Sequence, residues 1–435
     1  MPDRYDVLIV GGGQAAPPLA RGLAKAGKKV ALAERKYLGG SCVNFGCTPT
    51  KAAIASARLA YMSKRGADFG LRIPQVEVDF PAVLRRASDI ALESRTGLDK
   101  SFEGSDNPKL LRGHARFLGP GFELQVGTIR VSAKQVVLNT GTRTTIPKIP
   151  GLEKIAYIHS GNWLGHTQLP ERLAMIGGGY IGLEMAQFYQ RLGSHVAVWE
   201  HSSRIAMNED EEVSAAIQQF LEREGVEFHL NAQIHSIEQL GATHVFLATG
   251  RTPNTDDLGL EAVGVEIDMH GFVKVDQRLA TNVPGIWAAG DIRGGPLFTH
   301  TSWDDYRILI SQMAGDGSRT TDRVVPFAVF TDPELGRVGF TEREAREKGL
   351  KFRVSRFEMK HNGKAREIGE SDGFIKVLLE EGTGKILGTA VLAADGAELV
   401  HMFIDIMNAG ASSTVIRDAI HIHPTLAEAV QSAVT

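Results

Sequence analysis

Short apolar runs that stop on glycine dominate the chain before Val325. Tyr5-Asp6-Val7-Leu8-Ile9-Val10 leads straight into Gly11-Gly12-Gly13, and Leu19, Leu23 and Ala26 then recur at helical spacing. A run of this length ending on glycine predicts a strand covered on both faces, and the period after it a helix. A second strand, Lys29 to Ala33, ends on Glu34. The same succession returns later: Leu173-Ala174-Met175-Ile176 enters Gly177-Gly178-Gly179-Tyr180-Ile181-Gly182, a helix follows, and His195-Val196-Ala197-Val198-Trp199 ends on Glu200. Gly13 to Glu34 and Gly179 to Glu200 are both intervals of 21 residues.

Between the two units lie a polar helix, about Asp79 to Phe102, and a region of short strands from Leu110 to Leu138. Val136-Val137-Leu138 closes that region on Asn139-Thr140-Gly141, and Val245-Phe246-Leu247-Ala248 closes the second unit on Thr249-Gly250. The stretch from Phe228 to Val245 is short for such a unit and is expected to lack a hairpin. Gly285-Ile286-Trp287-Ala288-Ala289-Gly290 is a further apolar strand with one acid, Asp291, at its end. That position suits a polyol hydroxyl, or merely caps a strand. From about Val325 the texture changes to alternating strands, such as Phe374 to Leu379, and then helices, which reads as a separate α+β module.

Strand, glycine turn, helix, strand and terminal acid form the dinucleotide fingerprint. Gly11 and Gly13, with Ala16 closing a G-x-G-x-x-A turn, let the backbone approach a pyrophosphate, the helix N-terminus holds its charge, and Glu34 can accept the ribose hydroxyls. Gly177, Gly179 and Gly182 repeat the turn. Two such units imply two different nucleotides, so the predicted class is α/β with two Rossmann-like domains and a C-terminal α+β domain. A carboxylate at Glu200 accepts a free 2′-hydroxyl and repels a 2′-phosphate, which favours NADH, although His201 and Arg204 are cations close by. Pro17-Pro18 fits only where a helix has barely begun, as a rigid first turn.

With 435 residues, two to four domains are expected. Lys+Arg 48 against Asp+Glu 51 leaves no basic stripe for nucleic acid. No apolar run reaches the roughly 18 residues of a membrane span, and no signal-peptide pattern precedes Tyr5. A cytoplasmic enzyme with no membrane partner is expected.

The only two cysteines stand in Gly39-Gly40-Ser41-Cys42-Val43-Asn44-Phe45-Gly46-Cys47-Thr48-Pro49-Thr50-Lys51. On a straight helix five residues rise about 7.5 Å, beyond the usual reach of about 4.4 to 6.8 Å between disulfide Cα atoms. A bond therefore needs a bent turn, which Gly46 permits. Pro49 suits a first helical turn and would place Cys47 at a helix N-terminus, where a thiolate is favoured. Inert thiols and half of a metal site compete with a redox pair. No nearby His or third Cys completes a zinc site, so no metal is expected, and the glycine, proline and lysine context favours the redox pair. Near the end, His421-Ile422-His423-Pro424-Thr425-Leu426-Ala427-Glu428 puts a carboxylate five residues after His423. Glu428 could orient that imidazole for acid/base work on a thiol, or His423 is simply a surface residue.

Taken together, these residues resemble the pyridine-nucleotide disulfide oxidoreductases, the family of lipoamide dehydrogenase, glutathione reductase and mercuric reductase. The C-x4-C segment, both fingerprints, Gly290-Asp291 and the His-Pro-Thr-x-x-Glu ending occur in family order across nearly the whole chain. The resemblance implies FAD on the first fingerprint, with Glu34 on its adenosine ribose and Asp291 on its ribityl chain. It implies Cys47 as the thiol facing the flavin and Cys42 as the thiol that attacks substrate. Lys51 and Glu184 look like the ion pair beside flavin and nicotinamide, and Tyr180 resembles the aromatic gate over the flavin face. It also implies a homodimer in which His423 and Glu428 act in trans on a small-molecule oxidant or disulfide. The domains then run 1–147 and 271–324 for FAD, 148–270 for NAD(P), with NADH favoured over NADPH, and 325–435 for dimerisation. The absence of a third cysteine sets the chain apart from typical mercuric reductases, and the ending looks like lipoamide dehydrogenase. Phe298-Thr299-His300-Thr301-Ser302-Trp303-Asp304-Asp305-Tyr306-Arg307 does not, and with the Gln14-Ala15-Ala16-Pro17-Pro18 turn it looks like a bacterial mercuric-reductase-like branch that includes reductases of reactive chlorine oxidants. Direct flavin oxidation by oxygen or quinone, and a redox sensor with little turnover, are the competing functions.

Overall fold

Val7, Leu8 and Ile9 are wholly buried, as both-face coverage requires, and their strand lies at the middle of the first sheet. The structure, a computed structural model, describes residues 3–435, so the first two positions of the expected N-terminal unit lie outside the description. Asp3–Val10 is flanked in parallel by Val30–Glu34 and Ile129–Leu138, with Lys109–Arg112 beyond the former. Ile286–Ala288 returns, after an excursion through the rest of the chain, to pair in parallel with Ile129–Leu138. The helix Ala16–Lys25 has its two prolines in the first turn, where no intrahelical N–H is lost, and it packs on the helix Thr299–Ala314 closely enough that a Cβ on Gly22 would meet Ile310 Cδ1 at 2.6 Å.

The second sheet is wholly parallel, in the order Glu227–His229, His195–Trp199, Arg172–Ile176, His244–Leu247, Ile158–His159. Residues 230–243 contain a 3-10 turn, Ile237–Leu240, and no strand, so the hairpin expected to be missing is indeed absent from that stretch. The helix Tyr180–Leu192 leaves the second glycine turn and is buried on nearly every side. A Cβ on Gly182 would lie 2.1 Å from Gly177 O, so only glycine lets this helix start so close to its own turn.

The C-terminal sheet is antiparallel, in the order Phe327–Val329, Glu334–Gly339, Ile386–Ala393, Phe374–Glu380, Phe352–Glu358. Lys376 reaches from it into a cluster of Asp210, Glu212 and Glu342, with Nζ 3.0 Å from Asp210 and 2.6 Å from Glu342. Arg191, on the buried helix, is likewise bonded to Glu224 at 2.7 Å and to Asp332 at 2.8 Å. These buried pairs tie the unit of the second glycine turn to the C-terminal module and fix how the two meet. Breaking a buried pair at one end costs about 3–5 kcal/mol.

Candidate redox active site

The cysteine segment folds as two helices rather than one. Gly40–Asn44 ends at Phe45, Gly46 takes φ −104° and ψ −116°, and Cys47–Lys64 begins immediately after. Asn44 Nδ2 bonds to the carbonyls of Leu38 and Gly40, and Trp163 Nε1 donates to Phe45 O at 2.8 Å, so the bend is braced from both sides. Both cysteines are free thiols, Cys42 half-buried and Cys47 exposed. Thr299 Oγ1 lies 3.2 Å from Cys47 Sγ.

That surrounding makes the two sulfurs unequal. The neighbouring Cys42 thiol brings Cys47 down to about 6 despite the desolvation of its sulfur, with help from the Thr299 hydroxyl and the Lys51 ammonium. Cys42 is pushed up by its neighbour Cys47, and burial pushes it further. In the reduced enzyme the first thiol to ionise is therefore Cys47, a thiolate above pH about 6 and protonated below it. Its ultraviolet thiolate absorbance should titrate near that value, and Thr299→Val should raise the midpoint by about one unit. A wild-type midpoint near the ordinary thiol value of about 8.5 would sink this account.

Lys51 stands one turn along the Cys47–Lys64 helix and pairs with Glu184 at 2.7 Å. Glu184 Oε1 in turn accepts from Phe330 N at 2.8 Å, and Lys51 Nζ sits 4.4 Å above the Phe330 ring. One residue pair thus joins the cysteine helix, the helix of the second glycine turn and the C-terminal module.

At the first turn, Gly11 has φ +99°, and a Cβ there would meet Asn139 O at 2.4 Å. Glu34 Oε2 accepts from Gly12 N at 2.6 Å, and its other oxygen from Lys36 N. Asn139 Oδ1 is buried without a partner, and a Cβ on Gly13 would come within 2.8 Å of it. The glycine cradle at a helix N-terminus fits a nucleotide pyrophosphate, and the orphaned Asn139 acceptor beside it fits a hydrogen-bond donor of the same ligand. Ala16 opens the helix behind the turn, and Gly141, with φ +65°, follows Asn139 at the strand end. Asp291 lies just past Ile286–Ala288; burial pushes its carboxyl up, and it accepts one hydrogen bond, from Thr142 at 3.1 Å.

The second turn repeats this construction. Glu200 Oε2 accepts from Gly178 N at 2.7 Å and Oε1 from Ser202 N at 2.8 Å. Burial disfavours its charge, but the two N–H groups and His201 outweigh that and hold it below the usual range. Gly177 has φ +109°, Gly179 caps the helix that begins at Tyr180, and Gly250, with φ +104°, precedes the strand Arg251–Pro253. At the C-terminal end His423 Nδ1 lies 3.0 Å from Glu428 Oε1. The Thr425 N–H and His423 together hold the Glu428 carboxyl below its usual range. Among the described residues, the hydrogen-bond partner of a cysteine sulfur is Thr299, on Cys47, and His423 is not one.

The family model for pyridine nucleotide-disulphide oxidoreductases matches residues 5–305, and the model of that family's dimerisation domain matches residues 325–434. The chain belongs to the pyridine nucleotide-disulphide oxidoreductases. Among relatives of this family, the mitochondrial dihydrolipoyl dehydrogenase of Pisum sativum is 32% identical over 99% of this chain and 91% of its own. The probable pyridine nucleotide-disulfide oxidoreductase RclA of Escherichia coli is 33% identical over 98% of both. The solved structure described as the HOCl-induced flavoprotein disulfide reductase RclA superposes with a TM-score of 0.90 at 32% identity over 99% of both chains, and a Cu(II) complex of RclA with 0.89. As a member of this family the chain is a flavoprotein disulfide reductase that uses FAD and a pyridine nucleotide.

Three parts of the oxidoreductase's site escaped the sequence. Thr299 reaches Cys47 across 252 positions, and no local pattern marks it. Asp305 is wholly buried and accepts from Gly290 N at 2.8 Å, Arg293 Nε at 2.9 Å and Arg323 Nη2 at 2.6 Å. It holds the Gly290 turn that presents Asp291, which is why the Phe298–Arg307 segment is built as it is. Its signal was available: an acid at the same helical face as Thr301, Ile308 and Leu309 demands cationic partners. Arg251 is the third, donating to Thr142 and Ser160 beside Asp291.

Proposed function

We propose that the enzyme is a homodimer passing two electrons from NADH, by way of FAD, to the Cys42–Cys47 disulfide and from the dithiol to a disulfide or other soft oxidant. FAD, once bound, supplies the two-electron carrier between nicotinamide and sulfur. The first glycine turn, Glu34, Gly141 and Asp291 would hold it, within segments 1–147 and 271–324, while 148–270 takes the pyridine nucleotide and 325–435 makes the dimer. The observation that carries this reading is the exposed Cys47, held low by Cys42, Thr299 and Lys51.

With a disulfide acceptor, His423 takes the proton of Cys42, and the Cys42 thiolate attacks one acceptor sulfur and expels the other as a thiolate, which takes that proton back from His423. Cys47 thiolate then attacks Cys42 sulfur, closes the protein disulfide and releases the second acceptor half as a thiolate, which is protonated by solvent. Glu428 keeps the His423 Nδ1 side occupied, so that Nε2 faces the exchange, and the pair serves the partner protomer's thiols. Lys51, fixed by Glu184, would hold its ammonium beside the bound flavin and nicotinamide. RclA has been solved with Cu(II), which makes Cu(II) an acceptor to test here as well.

NADH is preferred for a local reason. Arg204 donates to Glu209 O, Met207 O and Ser214 Oγ, so the cation nearest Glu200 in sequence besides His201 is spent on its own loop. A 2′-phosphate would face the Glu200 carboxylate. Anaerobic reduction by each nucleotide, followed by lipoamide, glutathione disulfide, mercuric ion, hypothiocyanite and Cu(II), tests the whole scheme. NADH should bleach the flavin with kcat/KM at least about tenfold above NADPH, since like charges brought together cost several kcal/mol. Preference for NADPH, or no bleaching, overturns it.

A further inference from the structure

Two short crossings join the sheet of the first glycine turn to that of the second. Thr142–Thr144 follows the strand Ile129–Leu138 and precedes Ile158–His159; Arg251–Pro253 follows His244–Leu247 and precedes Ile286–Ala288; and the two crossings pair antiparallel. Arg251 clamps this ribbon. Its Nη2 donates to Thr142 O at 3.0 Å, its Nη1 to Ser160 Oγ at 3.1 Å and its Nε to Thr142 Oγ1 at 3.0 Å. All three acceptors are neutral oxygens. A guanidinium keeps its proton at any working pH, so it carries a full charge that these partners leave unbalanced.

The balance lies one hydroxyl further on. Arg251 Nε can only donate, so the Thr142 hydroxyl accepts from it and has its own hydrogen to give, which goes to Asp291 Oδ2 at 3.1 Å. Thr142 is buried, which shuts water out of that exchange. One oxygen of Asp291 is thereby occupied from the ribbon, and the other is left to accept from a ligand. Burial pushes the Asp291 carboxyl up. Arg251 is the foremost group opposing burial, the Thr142 bond and Arg293 follow, and Asp305 works on the side of burial. The effect is mutual: burial disfavours the Arg251 charge and Asp291 favours it.

We propose that Arg251, acting through the Thr142 hydroxyl, is a positioning residue that keeps Asp291 ionised and aimed, so that its second oxygen accepts a hydroxyl of the bound flavin's polyol chain. This rests on the reading that Asp291 faces FAD. A carboxylate accepts at both oxygens, whereas a neutral carboxyl commits one of them to its own proton. The ribbon that links the two sheets is in this way also a support of the flavin site.

The test is the release of FAD from oxidised holoenzyme across the range from about pH 5 to about pH 8, followed by the rise of flavin fluorescence on dilution. The ionised acid holds the flavin, so release is slow above the Asp291 titration and quickens as pH falls through it. Arg251→Met removes the cation that keeps this titration low, and the acceleration should begin at least about one pH unit higher than in wild type. Thr142→Val, which deletes a single hydroxyl, should move it the same way by less, and Thr142→Ser should keep the wild-type profile. Asp291→Asn cannot ionise. It should release FAD about tenfold faster than wild type at about pH 8, the worth of a bond to a charged group, and Arg251→Met should shift nothing in that background. The relay is overturned if Arg251→Met keeps the wild-type profile, if Thr142→Ser behaves as Thr142→Val does, or if Arg251→Met still shifts an acceleration in the Asp291→Asn background. Wild-type protein that carries no flavin, or Asp291→Asn that releases FAD at the wild-type rate, overturns the placing of FAD at Asp291 itself, a different outcome.

Discussion

Cys42→Ser should leave bleaching of the flavin by NADH intact and lower turnover of any disulfide acceptor by at least about a thousandfold, as loss of a nucleophile does. The two results separate because the two sulfurs have separate tasks. Cys47 is the sulfur stabilised as a thiolate, and a serine hydroxyl at position 42 can still donate to it. What serine cannot do is attack a sulfur or close a disulfide. Stopped-flow reduction followed by steady-state assay reads both halves in one preparation. A variant that turned disulfides over at the normal rate would place the exchange chemistry elsewhere and undo the assignment of the pair.

The legible parts of this molecule are those whose cause is local. A strand covered on both faces must be apolar throughout, so Val7 to Val10 and Ala174 to Ile176 announced themselves. A chain that turns under its own strand needs glycine, which made Gly11 and Gly177 visible. The His423–Glu428 contact was readable because the two partners lie only five residues apart. A bend between Cys42 and Cys47 was expected if the two were to bond, from helix rise and from the glycine between them, and Gly46 supplies it. Contacts made by distant chain segments carry no such mark. Thr299 on Cys47 and Asp305 under Gly290 each depend on how the folded chain packs and not on local spacing. Even so, an acid on an apolar helical face is a legible oddity, and Asp305 shows what it signifies: a buried charge for which two arginines must be found.

His423→Gln should slow the acceptor half-reaction by about a hundredfold to ten-thousandfold, the range for a lost acid/base group, and spare flavin reduction. The more telling result comes from mixing lesions. His423 is exposed, Ile420 and Ile422 beside it are exposed apolar residues, and neither sulfur of the same chain is its partner among the described residues. An apolar stretch left open next to an acid/base pair is what a second protomer would cover. If the pair acts in trans, a heterodimer of Cys42→Ser and His423→Gln chains has one site carrying both lesions and one site carrying neither. Co-expressed and purified by two different tags, it should recover about half the wild-type activity from two inactive parents, since a twofold dimer has two equivalent sites. If the pair acts in cis, every site of that heterodimer holds one lesion, and no activity returns.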